Sequence, residues 1–331
     1  MRLALWHTIR LGAMIGFALA AGCDVARAQA WVPLQGEGSI SFTYQNYDVA
    51  GHYNASGNIA NDASTYSQSL VTELDYGLTD AFALTLSLPF IASKYTGPSS
   101  YSAGGHPVYA ADNPLDDGSY HAAFQDIRIE VRRLFWVKSV AVAPFGGFSF
   151  PTHDYQTAGE AVPGRHRNDY QIGASAGSDL GNAVRDAYVQ VRYAYGTMQR
   201  IDDIPFTRSN IDVEGGKAPV SWLLVRALVN WQIRHQGPTL DSLYDGGYWS
   251  NHDRFIAPSY FNLGAGTSLS ITHSADVYVV YVATVAGSNG AHRGRLLAVG
   301  TTWGFGQTLG GLIGGHAVPS VKHATGPAVY R

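Results

Sequence analysis

Apolar and polar residues alternate along most of this chain, which is the pattern of β-strands with two unlike faces. The stretch 293–305 shows it near the end of the sequence. There Leu297, Val299, Trp303 and Phe305 share an apolar face with one threonine, while the residues between them are mostly small. Arginines stand at the beginning of that stretch only. The pattern predicts a strand with one greasy face and one small-residue face.

Twelve such segments can be marked, each close to the roughly ten residues that cross a bilayer when tilted. They are 39–47, 68–78, 81–91, 124–135, 139–150, 169–179, 185–196, 210–216, 221–233, 260–271, 276–286 and 293–305. The connections alternate between long and short, and only the last, 287–292, is shorter than its place predicts. This asymmetry is typical of outer-membrane barrels, with short periplasmic turns and long extracellular loops. The pattern therefore predicts an all-β fold, a closed antiparallel transmembrane barrel of about twelve strands spanning 31–305.

The first thirty residues predict export. Arg2 and Arg10 precede an apolar run too short to span a membrane, and Ala28-Gln-Ala30 is a small-x-small cleavage site. A competing cleavage before Cys23 resembles a lipoprotein box. We favour a signal peptide over 1–30, cleaved near Ala30, because Trp31 leads almost directly into a strand.

Composition narrows the remaining classes. The chain has 38 Gly, 20 Tyr and 14% charged residues, which suits a membrane barrel. A secreted β-sandwich has similar composition, but it has no reason to keep the loop asymmetry. The only cysteine, Cys23, lies in the signal, so disulfides and thiolate sites are excluded from the mature chain. The signal carries three Arg and one Asp, so its removal takes the net charge from −3 to −5, which argues against nucleic acid as a partner.

The inward faces of the predicted strands carry charges of both signs. The lumen-facing candidates are Glu73, Asp75, Asp126, Arg128, Glu130, Arg132, Asp186, Arg192, Asp212, Glu214, Arg226 and Arg234. Mixed signs do not form the single-charge ring that selects ions. Two interpretations stay open. These side chains pair across strands and fill the lumen, or they line a narrow, wet pore in which arginines contact a polar group of the solute.

The terminal strand and the tail carry further predictions. Arg293 and Arg295 fall at the outer rim, where the last strand begins. Gly300, Trp303 and Phe305 resemble the terminal-strand signal that the barrel-assembly machinery recognises. The Gly-rich segment 306–331 follows this signal and is predicted to be a periplasmic tail.

The loops offer less specific signals. Aromatic residues such as Tyr155 and Tyr248 could collect apolar solutes or pack loops together. Arg165-His166-Arg167 is the only local basic concentration and looks like a solvated loop face. Histidines are scattered without metal-ligand spacing, and no catalytic constellation is visible. The sequence therefore predicts no enzyme, metal or cofactor. The lead-in 31–38 looks too short to plug the lumen, so a gate is expected in loop 94–121 or the tail.

Two short motifs carry a family resemblance. Leu34-Gln-Gly-Glu-Gly-Ser-Ile-Ser-Phe-x-Tyr44, and Asp126 to Arg132 opening a hairpin, resemble the outer-membrane barrels named for the meta-pathway of phenol degradation. The resemblance spans 34–305. It implies a transporter-like barrel associated with uptake of aromatic or other hydrophobic compounds, and it brings no defined substrate residues.

These observations lead to a hypothesis about function. We expect a monomeric channel in a bacterial outer membrane that passes small, hydrophobic or aromatic solutes without energy input. Its partners would be outer-membrane lipid, the barrel-assembly machinery and a small-molecule solute. The alternative is a filled structural or binding barrel that acts through its extracellular loops.

Overall fold

The fold was analysed in a computed structural model that describes residues 30–60, 64–97, 102–103, 106–107, 115–181, 183–245 and 248–306. Within these residues the chain forms twelve long antiparallel strands. They are β1 (Gly38–Tyr53), β2 (Ser64–Gly77), β3 (Phe82–Thr96), β4 (Ile127–Arg133), β5 (Val140–Phe150), β6 (Asp169–Asp179), β7 (Ala187–Met198), β8 (Thr207–Val220), β9 (Leu223–Gln236), β10 (Ser259–Ser270), β11 (Ala275–Ser288) and β12 (Ala291–Phe305). The predicted signal peptide and nearly all of the predicted tail lie outside the described residues.

The strands close into a barrel in chain order. The last strand, β12, pairs antiparallel with β1 along almost its whole length, from Gly38 opposite Phe305 to Tyr53 opposite Ala291. On its other side β1 packs along β2, where the Gly77 N–H donates to the Glu37 carbonyl at 2.9 Å. Closure leaves no open sheet edge, which a bilayer would not tolerate. The predicted fold class is confirmed.

Several predicted boundaries need correction. The predicted strand 124–135 is three pieces, because His121–Phe124 pairs with β3 and Phe135–Val137 pairs with β5 on either side of β4. The predicted turn at 217–219 belongs to β8, which continues to Val220. Two further short pairings occur in the loops, Ile59–Ala60 with the end of β1 and Ser102–Ala103 with His106–Pro107.

The connections differ at the two ends of the barrel, as predicted. The loop between β9 and β10 contains two short helices, α1 (Leu240–Asp245) and α2 (His252–Phe255), and a 3₁₀ turn, Trp249–Asn251. The unexpectedly short final connection is a two-residue hairpin, in which Asn289 and Gly290 have φ of 56° and 78°. An Asn-Gly pair adopts these positive φ values more readily than most residues, so it can join β11 and β12 directly. Within the described residues, no helix is long and apolar enough to cross a membrane.

The two faces of each strand meet different surroundings. Apolar side chains on the predicted outward parity are exposed on the barrel surface, as Ile172 is at 68% and Trp303 at 44%. Inward residues of β12 are enclosed, with Leu296 at 2% and Ala298 fully buried. An apolar exterior and an enclosed interior are what a lipid solvent requires of a barrel. The predicted alternation of outward and inward residues therefore holds along β12.

Glycines on the inward faces make room for tyrosines of neighbouring strands. A Cβ at Gly300 would collide with the ring of Tyr278, and one at Gly216 would collide with the ring of Tyr188. Each tyrosine thus lies over a glycine of the adjacent strand, as in cross-strand rescue of glycine by aromatics. Gly300, predicted as part of an assembly signal, faces inward, whereas Trp303 and Phe305 face outward.

A charged residue placed on the outward face tests which residues of the strands face the lipid. Val279 lies in the middle of β11 and faces outward. We expect Val279→Arg to destabilise the refolded barrel by about 2–4 kcal/mol, because an arginine near the bilayer midplane is poorly solvated. The matched variant Ile271→Arg, in the turn before β11, should cost only about 0–1 kcal/mol. Unfolding by guanidinium in lipid vesicles measures both, and equal costs would contradict the assignment.

Candidate functional site

One wall of the lumen is built from buried ion pairs. Arg192 of β7 donates two hydrogen bonds to Glu130 of β4, from Nη1 to Oε1 at 3.0 Å and from Nη2 to Oε2 at 2.7 Å. Arg128 donates to the same carboxylate at 2.7 Å. The Arg192 guanidinium also lies 3.5 Å from the centre of the Phe145 ring. Forked arginine contacts of this kind fix a carboxylate geometrically, so β4 and β7 are connected through the interior.

Further pairs extend this ionic wall. Arg132 donates to Asp75 at 2.5 Å and to Thr85 at 2.6 Å, joining β2, β3 and β4. Glu214 lies 3.7 Å from Arg226, with both side chains almost fully enclosed. A buried charge without a partner is strongly destabilising. A strand arrangement that brings these charges into pairs is therefore favoured. The wall is a set of ion pairs in which Glu130 is contacted by two arginines, Arg128 and Arg192.

The remaining predicted lumen residues vary in their environment. Asp126 accepts a hydrogen bond from the Tyr155 hydroxyl at 2.5 Å, and Asp212 accepts one from Asn230 at 2.6 Å. Arg234 donates to the carbonyls of Gly237 and Pro238, and Glu73 is half-buried. The two outer-rim candidates lie near the start of β12, close to the hairpin that precedes it. Arg293 is half-buried and Arg295 is exposed.

The assignment of Asp186 to the lumen was wrong. Asp186 lies in the turn between β6 and β7 with φ of 56°, and its side chain is 59% exposed beside Arg185. The strand begins only at Ala187, so the alternation does not extend to this residue. Sequence reasoning also missed an ion pair, in which Arg208 Nη2 donates to Asp169 Oδ2 at 2.6 Å. Both of those residues lie at strand ends, where the alternation was not followed.

A contiguous apolar cluster lies in the interior of the barrel. It consists of Ile91, Leu228, Tyr278, Val280, Val282, Leu296 and Ala298, all enclosed. Ile91 belongs to β3 and Leu228 to β9, which are six strands apart in a ring of twelve and so face each other. The cluster therefore reaches from one wall to the opposite one. We call it the apolar constriction. A signal for it was present, since 277–282 is apolar on both faces of the strand.

Two long connections fold back over the long-loop mouth of the barrel. The Gly159 N–H donates to the Ser250 carbonyl at 3.0 Å, and Thr157 donates to Asn251 Oδ1 at 3.0 Å. These segments leave from β5 and β9, four strands apart in the ring, so their contact requires that they converge over the opening. We call residues 151–168 and 237–258 together the cap.

Arginines join the two segments of the cap to each other and to the connection between β7 and β8, contrary to the predicted solvated face at 165–167. Arg165 donates to the Ile256 carbonyl at 2.6 Å, and Arg167 donates to the Gln199 and Ile204 carbonyls. Both side chains are almost fully enclosed. Burial, with neighbouring Arg208, lowers the pKa of Arg165 to about 9, which leaves it charged at neutral pH. These contacts order the loops, as does the packing of Tyr248 on Phe255.

The lead-in crosses the other mouth, although the sequence predicted a segment too short to plug the lumen. The Trp31 ring packs edge-on against Tyr188 of β7, with the ring centres 6.1 Å apart. Because β7 stands opposite β1 in the ring, the segment from Trp31 to Glu37 spans the opening. Its seven residues can reach about 23 Å when extended. The lead-in is therefore part of the lumen.

Comparison with known proteins identifies the fold. No protein-family model matches this chain, and no curated protein matches it. The chain is similar to the crystal structure of the COG4313 outer membrane channel from Pseudomonas putida F1, with a TM-score of 0.62 and 13% identity over 85% of this chain and 100% of that one. It also matches the KdgM porin in complex with disordered oligogalacturonate, at a TM-score of 0.44 and 8% identity over 81% of this chain and 99% of that one. A NanC porin gives 0.42 and 10%, over 80% and 98%.

At 13% identity the first match shows the fold, that of an outer-membrane barrel. The predicted outer-membrane barrel is confirmed on that basis. The finer resemblance to the barrels named for phenol degradation stays a prediction.

Proposed function

We propose that this chain is a passive channel of a bacterial outer membrane for small solutes that combine an apolar body with a polar group. The observation that carries the proposal is the apolar constriction, which spans the lumen beside a wall of ion pairs. An apolar narrowing opposes the passage of hydrated ions because water leaves it readily. An aromatic solute loses little hydration there and gains apolar contact.

Enclosed polar atoms on other strands of the barrel support a wet pathway. Ser175 Oγ, Asn262 Oδ1 and Arg132 Nε are enclosed and form no hydrogen bond with any described protein atom. Enclosed polar atoms without protein partners are usually satisfied by water. A solute entering from either mouth would therefore pass through water before reaching the apolar residues.

The ionic wall favours solutes with a polar or anionic end. Arg128 and Arg192 both contact Glu130, and the Arg128 side chain keeps 19% of its surface exposed. Guanidinium groups bind carboxylates by paired hydrogen bonds. A benzoate-like solute could place its carboxylate there and its ring against the constriction. Weak binding at two neighbouring places promotes flux, because it lets a solute enter and also leave.

The placement in the membrane follows from the same features. The exposed apolar exterior would contact outer-membrane lipid, with the short turns in the periplasm and the cap outside. Gly300, Trp303 and Phe305 would serve as the signal for the barrel-assembly machinery. The chain would act as a monomer, because a closed barrel has no strand edge to share.

A filled barrel is the second candidate function. The enclosed ion pairs and the cap favour it, since together they occupy both the interior and one mouth. Such a barrel would bind partners through its loops and would never conduct.

Bilayer recording separates the two. We expect the refolded, signal-free protein to show infrequent openings with small ion conductance in potassium chloride. Under a benzoate gradient the reversal potential should indicate that benzoate is more permeant than chloride, although benzoate is larger. The control is the same measurement with gluconate, an anion without an apolar ring, which should be less permeant than chloride. Protein that inserts but stays closed at every voltage and with every solute would establish the filled barrel.

A further inference from the structure

Histidine and carboxylate side chains meet where the cap touches the barrel wall. His252 Nε2 lies 3.5 Å from Glu160 Oε2 and 3.5 Å from Asp253 Oδ1. His292 Nε2 lies 3.9 Å from the same Asp253 oxygen. The donor atoms of Glu160, His252 and Asp253 all lie within 4.8 Å of one another. The four residues come from three separate parts of the chain.

Hydrogen bonds within the cap hold two of these segments together. The bonds from Gly159 to Ser250 and from Thr157 to Asn251 place residue 160 beside residue 252. The Asp116 carboxylate also accepts the Glu160 backbone N–H at 2.9 Å. The Glu160 backbone is therefore placed beside His252 by hydrogen bonds of its own.

The barrel wall supplies the other side. Asn289, in the hairpin between β11 and β12, donates to the carbonyls of Pro238 and Ala257 at 3.0 and 2.9 Å. This hairpin connects the loop that carries His252 and Asp253 to the start of β12, where His292 lies. His292 is opposite His52 in the β1–β12 register, so a further imidazole stands next to the cluster.

The spacing suits coordination of a shared ion. Ligands bound tetrahedrally at about 2.0–2.1 Å lie about 3.4 Å apart, close to the observed 3.5 Å. The half-buried Glu160 and the buried Asp253 carboxylates also repel each other at this separation, and a cation between them would remove that cost.

We propose that Glu160, His252 and Asp253, with His292 as the fourth ligand, bind a divalent transition metal of the zinc class. Mixed imidazole and carboxylate donors at tetrahedral spacing suit this class, whereas magnesium and calcium prefer oxygen ligands only. Bound metal joins both halves of the cap to β12 and so fixes the cap over the mouth. The site could not be found by motif spacing, because its ligands stand at 160, 252, 253 and 292.

The test uses the full, untagged, refolded chain after treatment with EDTA. Titration calorimetry with zinc chloride should show one equivalent bound, and cobalt(II) at the same site should give the intense visible bands of tetrahedral coordination. Glu160→Gln and His252→Gln keep the side-chain size and should each weaken zinc binding at least about tenfold, as loss of one ligand removes a metal bond. They should also abolish the tetrahedral cobalt spectrum.

The matched control is His273→Gln, an exposed histidine in the turn between β10 and β11, which should bind zinc like the unmodified chain. Heat-dependent migration in gels confirms that each variant is a folded barrel before titration. Zinc binding that is absent from the unmodified chain, or equal in all four proteins, would overturn the site. Neither result bears on the channel, because binding is measured without conduction.

Discussion

Making the apolar constriction polar should raise ion conductance by at least about tenfold. Leu228 of β9 and Leu296 of β12 both belong to the constriction, and both side chains are enclosed. Leu228→Asn with Leu296→Asn keeps the side-chain volume nearly constant but lets water enter. A tenfold increase requires the barrier to fall by only about 1.4 kcal/mol, which is less than the cost of stripping water from an ion in an apolar passage.

Single-channel recording in potassium chloride measures this effect, with the preference for benzoate over chloride expected to decrease at the same time. Leu297→Asn is the matched control, because it lies next to Leu296 on β12 and points to the opposite face. It should weaken the folded barrel without changing the conductance of those molecules that insert. A double variant that folds and conducts like the unmodified chain would show that the constriction is not the barrier.

Removing the central carboxylate of the ionic wall should destabilise the barrel by about 3–5 kcal/mol, because Glu130→Leu removes the carboxylate that holds the enclosed Arg192 by two hydrogen bonds and also contacts Arg128. Arg192 is the more enclosed of the two, so Glu130→Leu combined with Arg192→Met should recover part of the loss. Guanidinium unfolding in detergent micelles, followed by tryptophan fluorescence, gives the free energies.

The control for this experiment is Asp241→Leu, which removes the same charge from an exposed position in α1. Its effect should stay within about 0.5 kcal/mol, as for most surface substitutions. If Glu130→Leu destabilises the barrel no more than Asp241→Leu does, water in a wide lumen solvates the ion pairs. The pairs then contribute little to the free energy of unfolding.

The barrel itself could be predicted because its determinants are local. Period-two alternation is a property of each strand alone, and a bilayer demands an apolar residue at every outward position. The predicted faces of β12 therefore hold residue by residue. The same locality explains the error at Asp186, where the chain has not yet entered β7 and the alternation does not apply.

The contents of the lumen depend on the tertiary structure, because they join residues that are distant along the chain. Ile91 and Leu228 meet only because closure and strand tilt place β3 opposite β9, and shear cannot be read from alternation. The lead-in matters because Trp31 reaches β7 across the ring.

The amino-acid sequence by itself determined the number of strands, their faces and the asymmetry of their connections, since each follows from neighbours in the chain and from the solvent. Only the tertiary structure decided the partners of the inward charges, the apolar constriction and the meeting of Glu160 with His252. Contacts across a closed barrel depend on ring position and loop folding, and no local pattern encodes either of them.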